Sequence, residues 1–201
     1  MLKNLIKKHV ATLLKQRGFK KKELTWNKSK DGVVQVVDFQ LSRFSSDEEE
    51  DFTINLGVFY SQVWKKCWGK EPPKFIKEED CFPRIRIGKL LNGFSEKLND
   101  RWWTCSAKTN EADLSGEIES LLEEECLPFL DDMLDQHKVI KFYSSSSDRL
   151  MPIEKIYLAI IKNGVGDINS SDDLLSEVVT ISKAWADRVE QVRTHHSSTN
   201  N

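Results

Sequence analysis

The chain of 201 residues predicts an α+β fold: an N-terminal helix, a three- to four-stranded antiparallel sheet, then a C-terminal group of four or five helices. Three observations carry that reading. Apolar residues recur at helical spacing near the start, two runs between residues 33 and 60 alternate with period two, and the helical period returns from Asp113 onward. Strands and helices in separate blocks, without βαβ alternation, segregate into layers.

Leu2, Leu5, Ile6, Val10, Leu13 and Leu14 share one helix face, and Gly18 stops the helix after Lys15 and Arg17. A strand region around Leu24–Asn27 ends at the turn Lys30-Asp31-Gly32. In Val33–Leu41, the side chains of Val37, Phe39 and Leu41 oppose Asp38 and Gln40; in Phe52–Tyr60, those of Phe52, Ile54, Leu56 and Val58 oppose Thr53, Asn55 and Gly57. Joined by the polar loop Ser42–Asp51, these two runs make an antiparallel hairpin. Trp64 to Lys77 is a connection rich in Trp, Lys and Pro. Arg84–Gly88 then alternates Arg84 and Arg86 with Ile85 and Ile87, a further short strand.

Leu114, Ile118, Leu121 and Leu122 line a helix that Pro128, lacking an N–H, is expected to kink, or else to follow with a new helix through Leu134. The polar run Ser144–Ser147 sets a boundary between an α+β domain at residues 1–143 and a helical extension at residues 144–201. Within the extension Pro152 opens one helix, and Gly164 and Gly166 end it. Asp172 is the expected cap of a last helix carrying Leu174, Leu175, Val178, Ile181, Trp185, Val189 and Val192. The tail SSTNN is expected to be disordered.

With 39% apolar and 31% charged residues, the chain has material for a core, which excludes wholesale disorder. Its longest apolar run, Ile156–Ile161, is far short of the roughly 20 residues that span a bilayer. Lysines interrupt every apolar stretch of residues 1–19, so these read as an amphipathic helix and not a leader. A soluble, cytoplasmic protein is expected, with no membrane contact. Cys67, Cys81, Cys105 and Cys126 form no C-x-x-C pair, and they read as reduced, buried thiols without a metal.

Charge is unevenly placed. Residues 1–30 hold ten Lys/Arg against Glu23 alone, a charge of +9, so the rest of the chain carries −11 against the total of −2. Residues 111–135 contain ten acids and no Lys or Arg. The basic first helix is expected to pack beside this acidic helix, and nucleic acid is not an expected partner: the chain is acidic overall and lacks an aromatic RNA-binding motif. The run Asp47-Glu48-Glu49-Glu50-Asp51 reads as a solvated hairpin tip, without the spacing of a calcium loop.

No phosphate-binding glycine loop, nucleophile elbow or zinc-helix motif is present. His9, His137, His195 and His196 lack any supporting pattern. What remains is the sheet face opposite the expected core, where period two places Asp38, Gln40, Asn55, Arg84 and Arg86. Two arginines with amide partners and nearby tryptophans can clamp a carboxylate or phosphate, or anchor a protein contact. The same residues equally fit a half-solvated face with an Asp–Arg pair and core tryptophans.

At GFKKK (18–22), VVQVVDFQLS (33–42), FTINLGVF (52–59), CFPRIRIG (81–88) and DRWW (100–103), the chain resembles a bacterial family, the domain of unknown function numbered 4304. The resemblance implies an α+β fold and points to Gln40, Asn55, Arg84, Arg86, Asp100, Trp102 and Trp103. It implies no reaction. The expectation is therefore a non-catalytic bacterial protein-binding module of the immunity or regulatory kind, with another protein as partner and no cofactor, metal or catalytic residue. The alternative is an enzyme whose polar pocket sets Arg84 and Arg86 with Asp38 or Asp100 against a phosphorylated or carboxylated substrate.

Overall fold

A computed structural model describes residues 1–93, 100–144 and 149–197. The apolar face of the first segment is buried at Leu2, Leu5, Ile6, Val10, Ala11 and Leu14. It runs as α1 (Leu2–Leu5), a π-helical turn (Ile6–Val10) and α2 (Ala11–Gln16). Gly18 ends it at φ 89°, in the left-handed region. There Gly18 N–H donates to Lys15 O and Phe19 N–H to Leu14 O, which satisfies two orphan carbonyls.

Among the described residues six strands follow, more than the three or four expected. β1 (Lys20–Lys22), β2 (Thr25–Lys30), β3 (Val33–Leu41), β4 (Glu49–Tyr60) and β5 (Arg84–Arg86) lie in that order, and β6 (Trp103–Ser106) also pairs with β4. β5 pairs β4 through Asn55–Gly57, whereas β6 pairs it through Glu49–Phe52. The two unexpected strands are short: β1 is all lysine and has no apolar alternation, and β6 alternates Trp103 and Cys105 with Thr104 and Ser106 over only four residues. The α+β class stands.

The hairpin alternates as expected; on its second face Asp38 is half-buried and Gln40 exposed, whereas β4 is buried on both sides. Every residue from Phe52 to Tyr60 is buried, Thr53 and Asn55 included. On the helix-covered face, Gln35 Nε2 donates to Asp131 Oδ1 at 2.8 Å. Facing the other way, the 76–82 segment closes over the strands. Asn27 exchanges two hydrogen bonds with the Ile76 backbone, at 2.9 and 2.8 Å. Cys81 packs so closely on Gly57 that a Cβ there would lie 2.5 Å from its own Cβ.

The acidic helix comprises α5 (Glu111–Leu121), a π-helical turn (Leu122–Cys126) and α6 (Leu127–Asp132). Asn110 caps it, its side-chain oxygen accepting from Ala112 N–H at 3.1 Å. The helix runs on through Pro128 in α6, and the wider π turn just ahead of it makes room for a ring that clashes with the carbonyl four residues back. As expected, the basic helix lies beside the acidic one. Lys8 Nζ reaches Glu111 and Arg17 Nη2 reaches Glu123, each at 2.9 Å.

The chain divides into two compact units, Met1–Phe59 with Phe75–Asp132, and Tyr60–Lys74 with Met133–Asn201. Composition had set the boundary at Ser144–Ser147. Residues 145–147 of that connector, and residues 198–201 of the tail, lie outside the described residues. The second unit holds α3 (Ser61–Trp68), α7 (Gln136–Tyr143), α8 (Pro152–Gly164), α9 (Ile168–Val179) and α10 (Lys183–Ser197). Trp68 binds α3 to its neighbours: Nε1 donates to Tyr157 OH at 2.8 Å, and the Arg188 guanidinium lies 4.4 Å from the Trp68 ring centre. The expected last helix is in fact two. Asp167, not Asp172, caps α9. Thr180 Oγ1 turns back on Glu177 O at 2.7 Å, and this break leaves Ile181 exposed instead of in the stripe.

Candidate functional site

Alternation places Asp38 and Gln40 of β3, Asn55 of β4, and Arg84 and Arg86 of β5 on one face of the sheet in the first unit. The β4–β5 register sets Asn55 opposite Arg86 and Gly57 opposite Arg84. The Arg86 guanidinium occupies the centre of this group. Its Nε donates to Asn55 Oδ1 at 3.1 Å, its Nη2 to Gln40 Oε1 at 3.3 Å, and its Nη1 to Asp100 Oδ2. Asn55 Nδ2 closes the ring by donating to Gln40 Oε1 at 2.7 Å. Each nitrogen of the fork thus meets an oxygen of the protein.

The expected strand stops at Arg86, and Gly88, in the short helix α4 (Ile87–Asn92), lets the 100–103 segment reach this network. A Cβ at Gly88 would stand 2.6 Å from Arg101 N and 2.8 Å from Asp100 Oδ1. From there the two tryptophans diverge. Trp102 stays on the polar face, 39% exposed, with the Arg86 guanidinium 5.6 Å from its ring centre. Trp103 turns inward, stacking on Phe52 with centroids 5.6 Å apart and donating Nε1 to Glu117 at 2.9 Å.

Of the eight residues singled out in the sequence, Gln40, Asn55, Arg86, Asp100 and Trp102 form one continuous network. Asp38 and Arg84 stand apart from it, on the side of Glu78. Asp38 Oδ1 accepts from Thr25 Oγ1 at 2.6 Å, and Arg84 Nη1 is 3.9 Å from Glu78 Oε1. Trp103 belongs to the packing of the sheet. Glu78 is the residue that sequence reasoning missed. Burial pushes its carboxyl above the usual range; Arg84 and Arg86 oppose the shift, while Asp38 and Glu79 add to it. The one signal in the sequence is an acidic patch, Glu78-Glu79-Asp80, inside a basic connection.

The chemistry open to this face is limited by what its groups already hold. Arg86 is committed to three side chains of the protein and acts as a brace for Asp100 and Trp102. Neighbouring Cys81 is buried, and burial drives its thiol well above the ordinary value, so it offers no thiolate at neutral pH. Among the described residues no group of three or more His, Cys, Asp or Glu side chains is placed to hold a metal ion.

The family model described as Domain of unknown function (DUF4304) matches residues 10–132, and the chain belongs to this family. That span contains all six strands and every residue of the network. No curated protein and no solved structure matches the chain. Among the described residues no helix is long and apolar enough to cross a membrane.

Proposed function

We propose that this member of the DUF4304 family is a non-catalytic bacterial module, cytoplasmic and of the immunity or regulatory kind, that binds another protein. The observation that carries the reading is Trp102, an exposed indole held in place by a guanidinium that is itself fixed at three corners. An aromatic anchor ordered before binding loses little entropy on contact, which is the usual character of an interface hot spot. Glu124 and Glu125, exposed on the acidic helix, add a field that steers a basic partner.

Affinity capture from the native host with the wild-type chain and with Trp102→Ala tests this. A partner held by the wild type and lost with the variant, at unchanged thermal unfolding, is expected. Identical capture by both chains would refute the assignment of Trp102.

A second reading, an enzyme acting on a phosphorylated or carboxylated substrate, is favoured by Glu78. A carboxyl pushed up by burial beside Arg84 and Asp38 has the character of a general acid next to an anion-binding cation. Turnover of such a substrate by the wild type, abolished in Glu78→Gln, would replace the first reading.

A further inference from the structure

The basic segment is only partly neutralised by the acidic helix. Lys8 and Arg17 have carboxylate partners, but among the described residues Lys3, Lys7, Lys15, Lys20, Lys21 and Lys22 make no ion pair. Three of these lysines are β1, the outermost strand on its side of the sheet, paired to β2 through Lys20–Asn27, Lys21–Trp26 and Lys22–Thr25. Two of them are seated on aromatic rings: Lys21 Nζ lies 5.3 Å from the Trp26 ring centre and Lys22 Nζ 5.7 Å from that of Phe75. Burial lowers the Lys21 ammonium's pKa, and the charges of Lys15, Lys3 and Lys7 lower it further. An approaching anion would relieve that crowding.

We propose that the β1 edge is a second interaction surface, independent of Trp102, which takes an acidic, extended peptide segment of a partner protein as an added strand. An edge strand offers main-chain donors and acceptors along one line, and an extended peptide is the ligand that uses them. Strand addition alone would also admit copies of this chain or any unfolded segment. The lysines repel a second β1 edge by like charge, give a neutral segment no charge gain, and select a strand with acids opposite Lys20, Lys21 and Lys22. A nucleic acid would answer the charge and leave the main-chain edge unused.

The test uses the full chain and a labelled peptide of three consecutive glutamates flanked by valine and threonine. Three probes are compared: that peptide, its backbone N-methylated form, and an oligothymidylate of similar length. Binding of the acidic peptide is expected, with amide shifts at Lys20–Lys22. N-methylation should weaken it about tenfold or more, and so should Lys20→Glu with Lys22→Glu, two exposed positions whose reversal spares the core. Absence of peptide binding overturns the proposal. Equal binding of the N-methylated peptide also overturns it, because charge alone would then account for the contact. So does tighter binding of the oligothymidylate through the same lysines.

Discussion

Removing the Arg86 side chain should destabilise the first unit by about 2–3 kcal/mol. Three losses contribute, and their sizes differ. Asn55 is 5% exposed, so its Oδ1 loses the Arg86 donor in a place water does not reach. An unsatisfied buried acceptor costs about 1–3 kcal/mol, and this is the dominant loss. The ion pair with Asp100 is weaker, because the two side chains keep 36% and 30% of their exposure and solvent screens them; it contributes at most about 1 kcal/mol. The cation–π contact with Trp102, also near solvent, adds roughly 0.5 kcal/mol. Gln40 is exposed and turns to water at little cost. For a chain of this length, roughly 2–4 °C per kcal/mol gives a Tm drop of about 5–10 °C, readable by calorimetry and by urea midpoint. Arg86→Lys keeps the charge and loses the fork, so it should recover less than half of the loss. If Arg86→Ala unfolds within about 0.5 kcal/mol of the wild type, the surface-charge range, the bracing role is wrong.

Gly57→Ala should cost about 1–3 kcal/mol, because its Cβ would meet Cys81 Cβ at 2.5 Å and Sγ at 2.8 Å within a buried strand; an unchanged urea midpoint would contradict that packing. The thiols of Cys67 and Cys126 are pushed up to about 12 by burial, and Cys81 and Cys105 are also buried and raised. A chromogenic disulfide at pH 8 should therefore label none in the native chain and all four after denaturation; one fast native thiol would break the assignment. Glu78 has a folded pKa above its ordinary 4.5, so its stabilising contribution is fully present below 4.5 and is lost as pH rises through the raised value. Glu78→Gln should gain stability relative to wild type as pH climbs above 4.5, and a difference independent of pH would show that burial does not govern this carboxyl.

The hairpin, the basic and acidic helices and their pairing were legible because each rests on local periodicity or on charge. Val33–Leu41 and Phe52–Tyr60 alternate whatever covers them. Coverage itself was not legible. The same alternation fits a wholly half-solvated face and the face found, open at Gln40 and Arg84 but buried along β4, and the difference lies with Ile76 and Cys81, which arrive from a connection with no period of its own. β1 was hidden for the opposite reason. Three lysines carry no apolar face, and only the partner strand defines them as a strand. The division of the last helix at Thr180–Ser182 turns on a Thr hydroxyl bonding backward, a local competition that an apolar stripe does not register.

The candidate site shows the same limit at the level of single residues. Period two was enough to gather Gln40, Asn55 and Arg86, because register-independent alternation fixes a face before it fixes a neighbour. It was not enough to say what Arg86 does there. An arginine among amides has the composition of an anion clamp, and only the distances distinguish a clamp from a brace. The clamp must keep its paired donors free for the ligand, whereas Arg86 spends Nε, Nη1 and Nη2 on Asn55, Asp100 and Gln40. Arg84, in the same strand and two residues away, stands opposite Gly57 in the register, with its Nη1 3.9 Å from Glu78 Oε1. The two arginines that look equivalent in the sequence therefore do different work. Arg86 fixes the segment that bears Trp102, and Arg84 sits beside Glu78, a carboxyl whose proton affinity burial has raised.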